Sequence, residues 1–110
     1  MQDRFQLSQH GKALLTREQG ARVRASLEQI VAGSTGGFVI VDFDGVDAMT
    51  PSFLDECLGR LVLHLGPDVF RQRIRLEATN ESLRRLANNV LAHRSNEARI
   101  RRASPTKKDT

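Results

Sequence analysis

The stretch VDFDGVDAMTPSFLDE, residues 41–56, joins an apolar run to an amphipathic segment through a loop that holds three aspartates. The residues that lead into the loop, 38–43, are apolar except for Asp42 and rich in β-branched side chains, which is typical of a strand buried on both faces. After the loop, Thr50 is suited to cap a helix and Pro51 to occupy its first position. The stretch therefore predicts a strand, an acidic loop and a helix.

The residues before this stretch predict two short strands and a helix. Phe5 and Leu7 alternate with polar residues at the period of a strand, and residues 12–15 predict a second, shorter strand. Thr16 is followed three residues later by Gln19, which is the pattern of a capping box at the start of a helix.

The residues after the loop predict a helix, an edge strand and a final helix. The stripe of apolar side chains on the first of these helices consists of Phe53, Leu54, Cys57, Leu58, Leu61 and Val62. Gly66-Pro67 ends that helix, and Ile74 and Leu76 then alternate with charged residues as in a strand near a sheet edge. A last helix begins at Asn80 or Glu81, and its apolar periodicity ends near His93.

The predicted order of elements is β(β)αβαβα, which indicates the α/β fold class with parallel strands joined by helical crossovers. We expect a single domain over residues 1–103, with one sheet of about four strands and three helices packed on it. Residues 104–110 predict a disordered basic tail.

The amino-acid composition limits where the protein can be located in the cell and which metal, cofactor or thiol chemistry it can use. The chain has 110 residues, no segment apolar enough to span a bilayer, and no apolar core of a signal peptide near its start. A single cysteine, Cys57, is consistent with a reducing compartment, and its place in the apolar stripe favours a buried, inert thiol. These features predict a cytoplasmic protein. The three histidines share no metal-ligand spacing with Cys57, so neither a metal nor another cofactor is expected.

Two catalytic or metal-binding interpretations of the acidic loop are weak. Asp42 and Asp44 resemble the nucleophile and general acid of a haloacid-dehalogenase-type phosphatase. Such a site also needs a downstream lysine and an acidic pair, but the only later lysines are Lys107 and Lys108 near the end of the chain, and no acidic pair follows the strand of Ile74 and Leu76. A calcium-binding loop requires a ligand and a glycine where Val46 and Asp47 stand. The loop is therefore expected to be non-catalytic.

Three segments together resemble the STAS-like domain of unknown function, a relative of the anti-sigma-factor antagonists. They are LLTREQGARV at 14–23, FVIVDFDGVDAMTPSFLDECLGRL at 38–61 and IRLEATNESLRRL at 74–86, and the similarity covers residues 5–94. The resemblance implies a STAS-like fold and a non-catalytic regulatory module. It also implies binding to a protein partner, an ATP-binding kinase of the GHKL type or an anti-sigma-like protein, through the 44–56 loop and helix.

The residues that this resemblance implies for the partner-binding loop are Asp42, Asp44, Asp47, Thr50, Ser52, Phe53, Asp55 and Glu56. In anti-sigma antagonists a serine at the helix start is phosphorylated, and here that position falls on Pro51, which has no hydroxyl. Ser52 and Thr50 are the neighbouring candidates for phosphorylation, and the alternative is that no such switch exists. As an N-cap, Thr50 is explained without any modification.

The charge distribution raises a second functional alternative. From Arg84 to the end there are eight basic residues and two acidic ones, a net charge of +6, although the whole chain carries only +4. The candidates for contact with nucleic acid are Arg94, Arg99, Arg101, Arg102, Lys107 and Lys108. Such a tract can contact phosphates but has no aromatic or base-reading side chains. The plainer alternative is a solvated tail.

Overall fold

The strand and helix boundaries come from a computed structural model, which describes residues 3–34 and 37–103, without the side chains of 101–103. The strands are β1 (Asp3–Gln6), β2 (Ala13–Leu14), β3 (Val39–Asp42), β4 (Ala48–Met49) and β5 (Ile74–Glu77). The helices are α1 (Arg17–Gly33), α2 (Pro51–Leu54), α3 (Arg60–Leu65), α4 (Pro67–Arg73) and α5 (Glu81–Ala103). A 3₁₀ turn (Leu7–His10) follows β1, and one π-helical turn (Asp55–Gly59) joins α2 to α3. We call residues 51–65 the central helix.

The strands form two small parallel sheets. Strand β3 lies between β1 and β5 in the larger sheet, and β2 pairs with β4 in a two-residue ladder. The α/β fold class is confirmed. The observed arrangement differs in detail from one sheet of about four strands with three helices, because β4 forms within the acidic loop and α4 begins at Pro67. The predicted tail, residues 104–110, lies outside the described residues.

The central strand is buried on both faces, as predicted, but the two faces are covered differently. On one face, Val39 and Val41 join the hydrophobic core together with Phe5 of β1. On the other face, Ile40 stands in register with Arg4 and Arg75. Asp42 on that face binds Arg4, whose Nη1 also binds Glu77. Charged side chains of the neighbouring strands therefore flank Ile40 and Asp42 on this face.

Side-chain caps at three helices agree with the sequence analysis. The Thr16 hydroxyl accepts a hydrogen bond from the Gln19 backbone N–H at 3.1 Å, and the Gln19 side chain completes the capping box. The Thr50 hydroxyl accepts from the Phe53 N–H at 3.2 Å, and the Asn80 side chain accepts from the Leu83 N–H at 3.1 Å. Such caps contribute about 1 kcal/mol each, and here they fix where the helices around the candidate site begin.

Helix α1 crosses the central helix closely at Gly20. A methyl group built on Gly20 would lie 2.8 Å from the Phe53 carbonyl oxygen and 2.9 Å from Cβ of Glu56. Glycine is required here because the backbones approach too closely for a side chain. The contact sets the distance between α1 and the segment that carries Asp55 and Glu56.

We predict that Gly20→Ala lowers the free energy of unfolding by about 2 kcal/mol, because the added methyl group forces the two helices apart. Gly33→Ala is the matched control, since a methyl group there meets no atom within 4 Å. Urea unfolding followed by circular dichroism measures both variants. Equal stability of the two would show that the helices do not approach as described.

Candidate partner-binding site

The aspartates at the end of β3 are held by internal contacts. Asp42 is buried, with one carboxylate oxygen 2.9 Å from Nη1 of Arg4 and the other accepting the Asp44 backbone N–H at 2.9 Å. The Asp44 carboxylate accepts hydrogen bonds from the Thr79 hydroxyl at 2.8 Å and the Thr79 N–H at 3.1 Å. These bonds lower the pKa of Asp44. Both carboxylates therefore fasten the loop to the sheet and to the turn before α5.

Asp47 and Thr50 lie further along the loop and differ in their contacts. Asp47 is exposed, and in the described part of the chain its carboxylate has no ion-pair partner, while its backbone N–H donates to the Lys12 carbonyl at 2.8 Å. Besides capping the central helix, the Thr50 hydroxyl donates to the Leu15 carbonyl at 2.5 Å. Thr50 therefore uses its hydroxyl twice inside the fold.

Ser52 is the exposed hydroxyl at the start of the central helix. Within the described residues its side chain has no hydrogen-bond partner. It borders a groove of about 630 Å³ between the central helix and α5, which we call the Ser52 groove. Its lining residues are Arg17, Pro51, Ser52, Asp55, Leu86, Asn89, Val90, His93, Arg94 and Glu97. Phe53, also predicted for the site, is fully buried beneath it and positions the helix start.

The end of the groove is closed by ion pairs centred on Asp55. Arg94 of α5 binds both carboxylate oxygens of Asp55, with Nε–Oδ1 at 2.5 Å and Nη2–Oδ2 at 2.7 Å. Arg17 of α1 binds the same carboxylate at 3.0 Å, and Arg94 also reaches Glu97 at 3.0 Å. The Asp55 carboxylate therefore links three helices at one point.

Glu56 forms a second set of contacts, directed toward α1. Its carboxylate lies 3.0 Å from Nη1 of Arg24, which also donates to the Glu56 backbone carbonyl, and 3.4 Å from Nη1 of Arg17. Arg60, one turn later, is 3.6 Å away. Asp55 and Glu56 both lie on the π-helical turn, so this turn is where the central helix is tied to its two neighbours.

The ion pairs shift the acidity of these carboxylates, and burial shifts that of the adjacent thiol. Hydrogen bonds from Arg94, and then from Arg17, lower the pKa of Asp55 to about 2. The Arg24 side chain lowers the pKa of Glu56. Burial raises the pKa of the Cys57 thiol to about 12. Asp55 and Glu56 are therefore charged structural groups, and the Cys57 thiol is unsuited to act as a nucleophile.

The phosphatase interpretation of Asp42 and Asp44, which the sequence made weak, gains no support from their contacts. One oxygen of Asp42 accepts a hydrogen bond from Arg4 and the other from the Asp44 N–H. Within residues 3–34 and 37–103, no group of three His, Cys, Asp or Glu side chains is placed to hold a metal ion. The contacts that the structure shows for Asp42 and Asp44 are therefore contacts within the fold.

The residues predicted for nucleic-acid contact separate into three groups. Arg94 is bound to Asp55 and Glu97 and belongs to the folded body, whereas Arg99 is exposed on α5. The side chains of Arg101 and Arg102 lie outside the described part of the structure, as do Lys107 and Lys108. Binding of nucleic acid through the end of the chain stays a prediction.

The wall of the Ser52 groove that α5 forms was not predicted from the sequence. Leu86 and Val90 follow the apolar periodicity of α5, and both are only partly buried, so they contribute to the groove as well as to the core. Arg17 could have been identified from the sequence, because it follows Thr16 in the segment 14–23 that carries part of the family resemblance. His93 and Glu97 gave no signal, because their positions follow from how α5 packs.

Comparison with protein families gives one match in support of this fold. The profile of the STAS-like domain of unknown function (DUF4325) matches residues 19–84, more than half of the chain. The match includes Ser52, Asp55 and Glu56, whereas Arg17 and most of α5 lie outside it. Comparison with curated proteins and with solved structures gives no significant match. No helix in the described residues is long and apolar enough to cross a membrane.

We predict that Asp55 contributes stability that depends on pH. Its pKa is about 2 in the fold, against 3.8 for a free side chain, so its contribution is complete above about pH 5 and is lost as the pH falls toward 2. The difference in unfolding free energy between the wild type and Asp55→Asn should therefore shrink by about 2 kcal/mol over this range.

Urea unfolding at several pH values measures this difference. Asp47→Asn is the control, and we expect its free energy of unfolding at neutral pH to stay close to that of the wild type. A difference between the wild type and Asp55→Asn that does not change between pH 5 and pH 2 would contradict the ion pair.

Proposed function

The chain belongs to the family of STAS-like domains of unknown function, and we propose that it acts as a non-catalytic, cytoplasmic regulatory module that binds a protein partner through the Ser52 groove. The partner is an ATP-binding protein of the GHKL kinase type or an anti-sigma-like protein, as the resemblance to anti-sigma-factor antagonists implies. The Ser52 groove runs from the start of the central helix, just after the predicted partner-binding loop, to the side of α5. The proposed binding surface therefore lies closer to α5 than the loop aspartates do.

The observation that supports this proposal most strongly is the division of the loop residues into engaged and available groups. Contacts inside the fold occupy the polar side-chain atoms of Asp42, Asp44 and Thr50. Pro51 and Ser52 are exposed and border a groove whose other wall combines apolar and polar side chains. Interfaces commonly place apolar contacts at their centre and polar groups at their rim. Leu86 and Val90 supply the apolar part of such a surface.

Ser52 is the candidate for regulation by phosphorylation, and Thr50 is not. A phosphate on Ser52 would stand in the first turn of the central helix, whose free N–H groups favour negative charge. Arg17 lines the same groove and offers a guanidinium that suits a phosphate group. A phosphate on Thr50 would instead break the cap and the bond to Leu15.

We predict that Ser52→Glu abolishes capture of the partner, because it places a charge and a longer side chain at the rim of the groove. The wild-type protein, Ser52→Glu and Ser82→Glu are used as baits in a lysate of the source organism. Ser82 is an exposed serine in the first turn of α5 that does not line the groove. The captured protein should bind ATP in a separate assay.

Ser82→Glu controls for the added charge, and we expect it to retain the partner. The proposal fails if Ser52→Glu and Ser82→Glu capture the same proteins in the same amounts. It also fails in its partner class if the protein lost with Ser52→Glu shows no affinity for ATP.

A further inference from the structure

Strand β5 presents unpaired main-chain groups at the free edge of the larger sheet. The Phe43 N–H donates to the Glu77 carbonyl at 2.9 Å, so Arg75 and Glu77 direct their main-chain groups toward β3. Residues alternate along a strand, and Ile74 and Leu76 therefore direct theirs toward the free edge. The Ile74 N–H is used by the Phe70 carbonyl of α4. In the described residues, the Ile74 carbonyl and both main-chain groups of Leu76 have no partner.

A groove with an apolar floor runs along this edge. Two cavities of about 570 and 580 Å³ both include Leu76 and Asn88 in their walls, so they adjoin each other between β5 and α5. We call the two cavities together the β5 edge groove. Its apolar lining includes Phe43, Phe70, Ile74, Leu76, Ala87 and Leu91. An extended chain placed here would find backbone partners on one side and apolar surface beneath it.

The charged side chains along the groove are mainly cationic. Arg84 borders one cavity, and Arg71 and Arg75 border the other. Among the described residues, no carboxylate pairs with any of the three. The Arg75 guanidinium lies 4.0 Å from the centre of the Phe38 ring, which holds it at the exposed face of the sheet. Glu77 also lines the groove, but its charge is paired with Arg4.

We propose that the β5 edge groove binds an extended acidic segment of a partner protein, which adds to the sheet as a strand beside β5. Main-chain hydrogen bonds to Leu76 and Ile74 would provide affinity that does not depend on sequence. Alternate side chains of the bound strand would face the groove floor and the exposed face of the sheet. The segment therefore alternates apolar residues with glutamate or aspartate, whose charges face Arg71, Arg75 and Arg84.

Charge favours this occupant over a second copy of the same chain. Two copies joined edge to edge at β5 would bring six arginines into one interface, three from each copy. Like charges placed opposite one another destabilise an interface. An acidic segment has the opposite charge and leaves the groove neutralised. This surface does not include Ser52 or its groove, so it stands independently of the function proposed above.

Two synthetic peptides test the proposal with the full-length protein. Both are seven residues long, acetylated and amidated; one alternates valine with glutamate, and the other alternates valine with lysine. We expect the glutamate peptide to bind in a titration followed by the amide NMR signals of the protein, and the lysine peptide not to bind. Bound peptide should slow hydrogen exchange at the Leu76 amide, which points toward the free edge of the sheet.

Neighbouring arginines on α5 provide a matched pair of variants. Arg84 lines the groove, whereas Arg85 does not line it and pairs with Glu81 at 3.6 Å. Arg84→Glu should weaken binding of the glutamate peptide by about tenfold, and Arg85→Glu should leave it within about twofold of the wild type. Arg84→Gln should give a smaller loss than Arg84→Glu.

Three results would overturn the proposal. The first is equal binding of the two peptides, or binding of neither. The second is binding that leaves hydrogen exchange at Leu76 unchanged, or that Arg85→Glu weakens as much as Arg84→Glu does. The third is a concentration-dependent dimer of the free protein that protects the Leu76 amide, because that result would assign the edge to a second copy.

Discussion

The bidentate ion pair between Arg94 and Asp55 is the contact on which the arrangement of the candidate site depends. Arg94 belongs to α5, Asp55 to the central helix, and Arg17 brings α1 to the same carboxylate. Paired guanidinium and carboxylate groups have a fixed planar geometry, so the pair sets orientation as well as distance. The Asp55 side chain is 18% exposed, and a partly buried carboxylate without its cations would be costly.

The π-helical turn and Gly20 make this network possible. The turn carries Asp55 toward Arg94 and Glu56 toward Arg24, so consecutive carboxylates serve two different helices. Gly20 lets α1 approach the same turn without a side chain between the backbones. Inserted π-helical turns are frequent at functional sites. In this protein the turn begins three residues after Ser52. The proposed binding surface therefore lies beside the ion pairs of Asp55 and Glu56, which connect α1, the central helix and α5.

The elements that could be predicted from the sequence are those with a strong local signal. Thr16 with Gln19, and Thr50 with Pro51, fixed two helix starts, and the run at 38–43 fixed the central strand, because caps and apolar runs act over a few residues. Helix α4 was missed because Gly66-Pro67 ends one helix and also begins the next, and Pro67 occupies its first position. The dipeptide Gly66-Pro67 is equally compatible with a loop or with a new helix after the turn.

The candidate site was only partly predictable, because its geometry arises between elements distant in the sequence. Ser52 and Asp55 were named through the family resemblance, but their relation to α5 depends on how two helices pack. Asp42 and Asp44 show the same dependence on distant residues. The family resemblance assigned them to the partner-binding loop, and Arg4 and Thr79, far away in sequence, hold them in contacts inside the fold.

The coupling between Asp55 and Arg94 tests most directly whether this ion pair holds the groove together. Urea unfolding at neutral pH is measured for the wild type, Asp55→Asn, Arg94→Gln and the double variant, which together form a double-mutant cycle. A coupling free energy of at least about 1 kcal/mol is predicted, since each single variant removes the bidentate contact and leaves its partner with only the weaker pair, Arg17 for Asp55 and Glu97 for Arg94. Additive effects, with a coupling below about 0.5 kcal/mol, would contradict the central role of the pair.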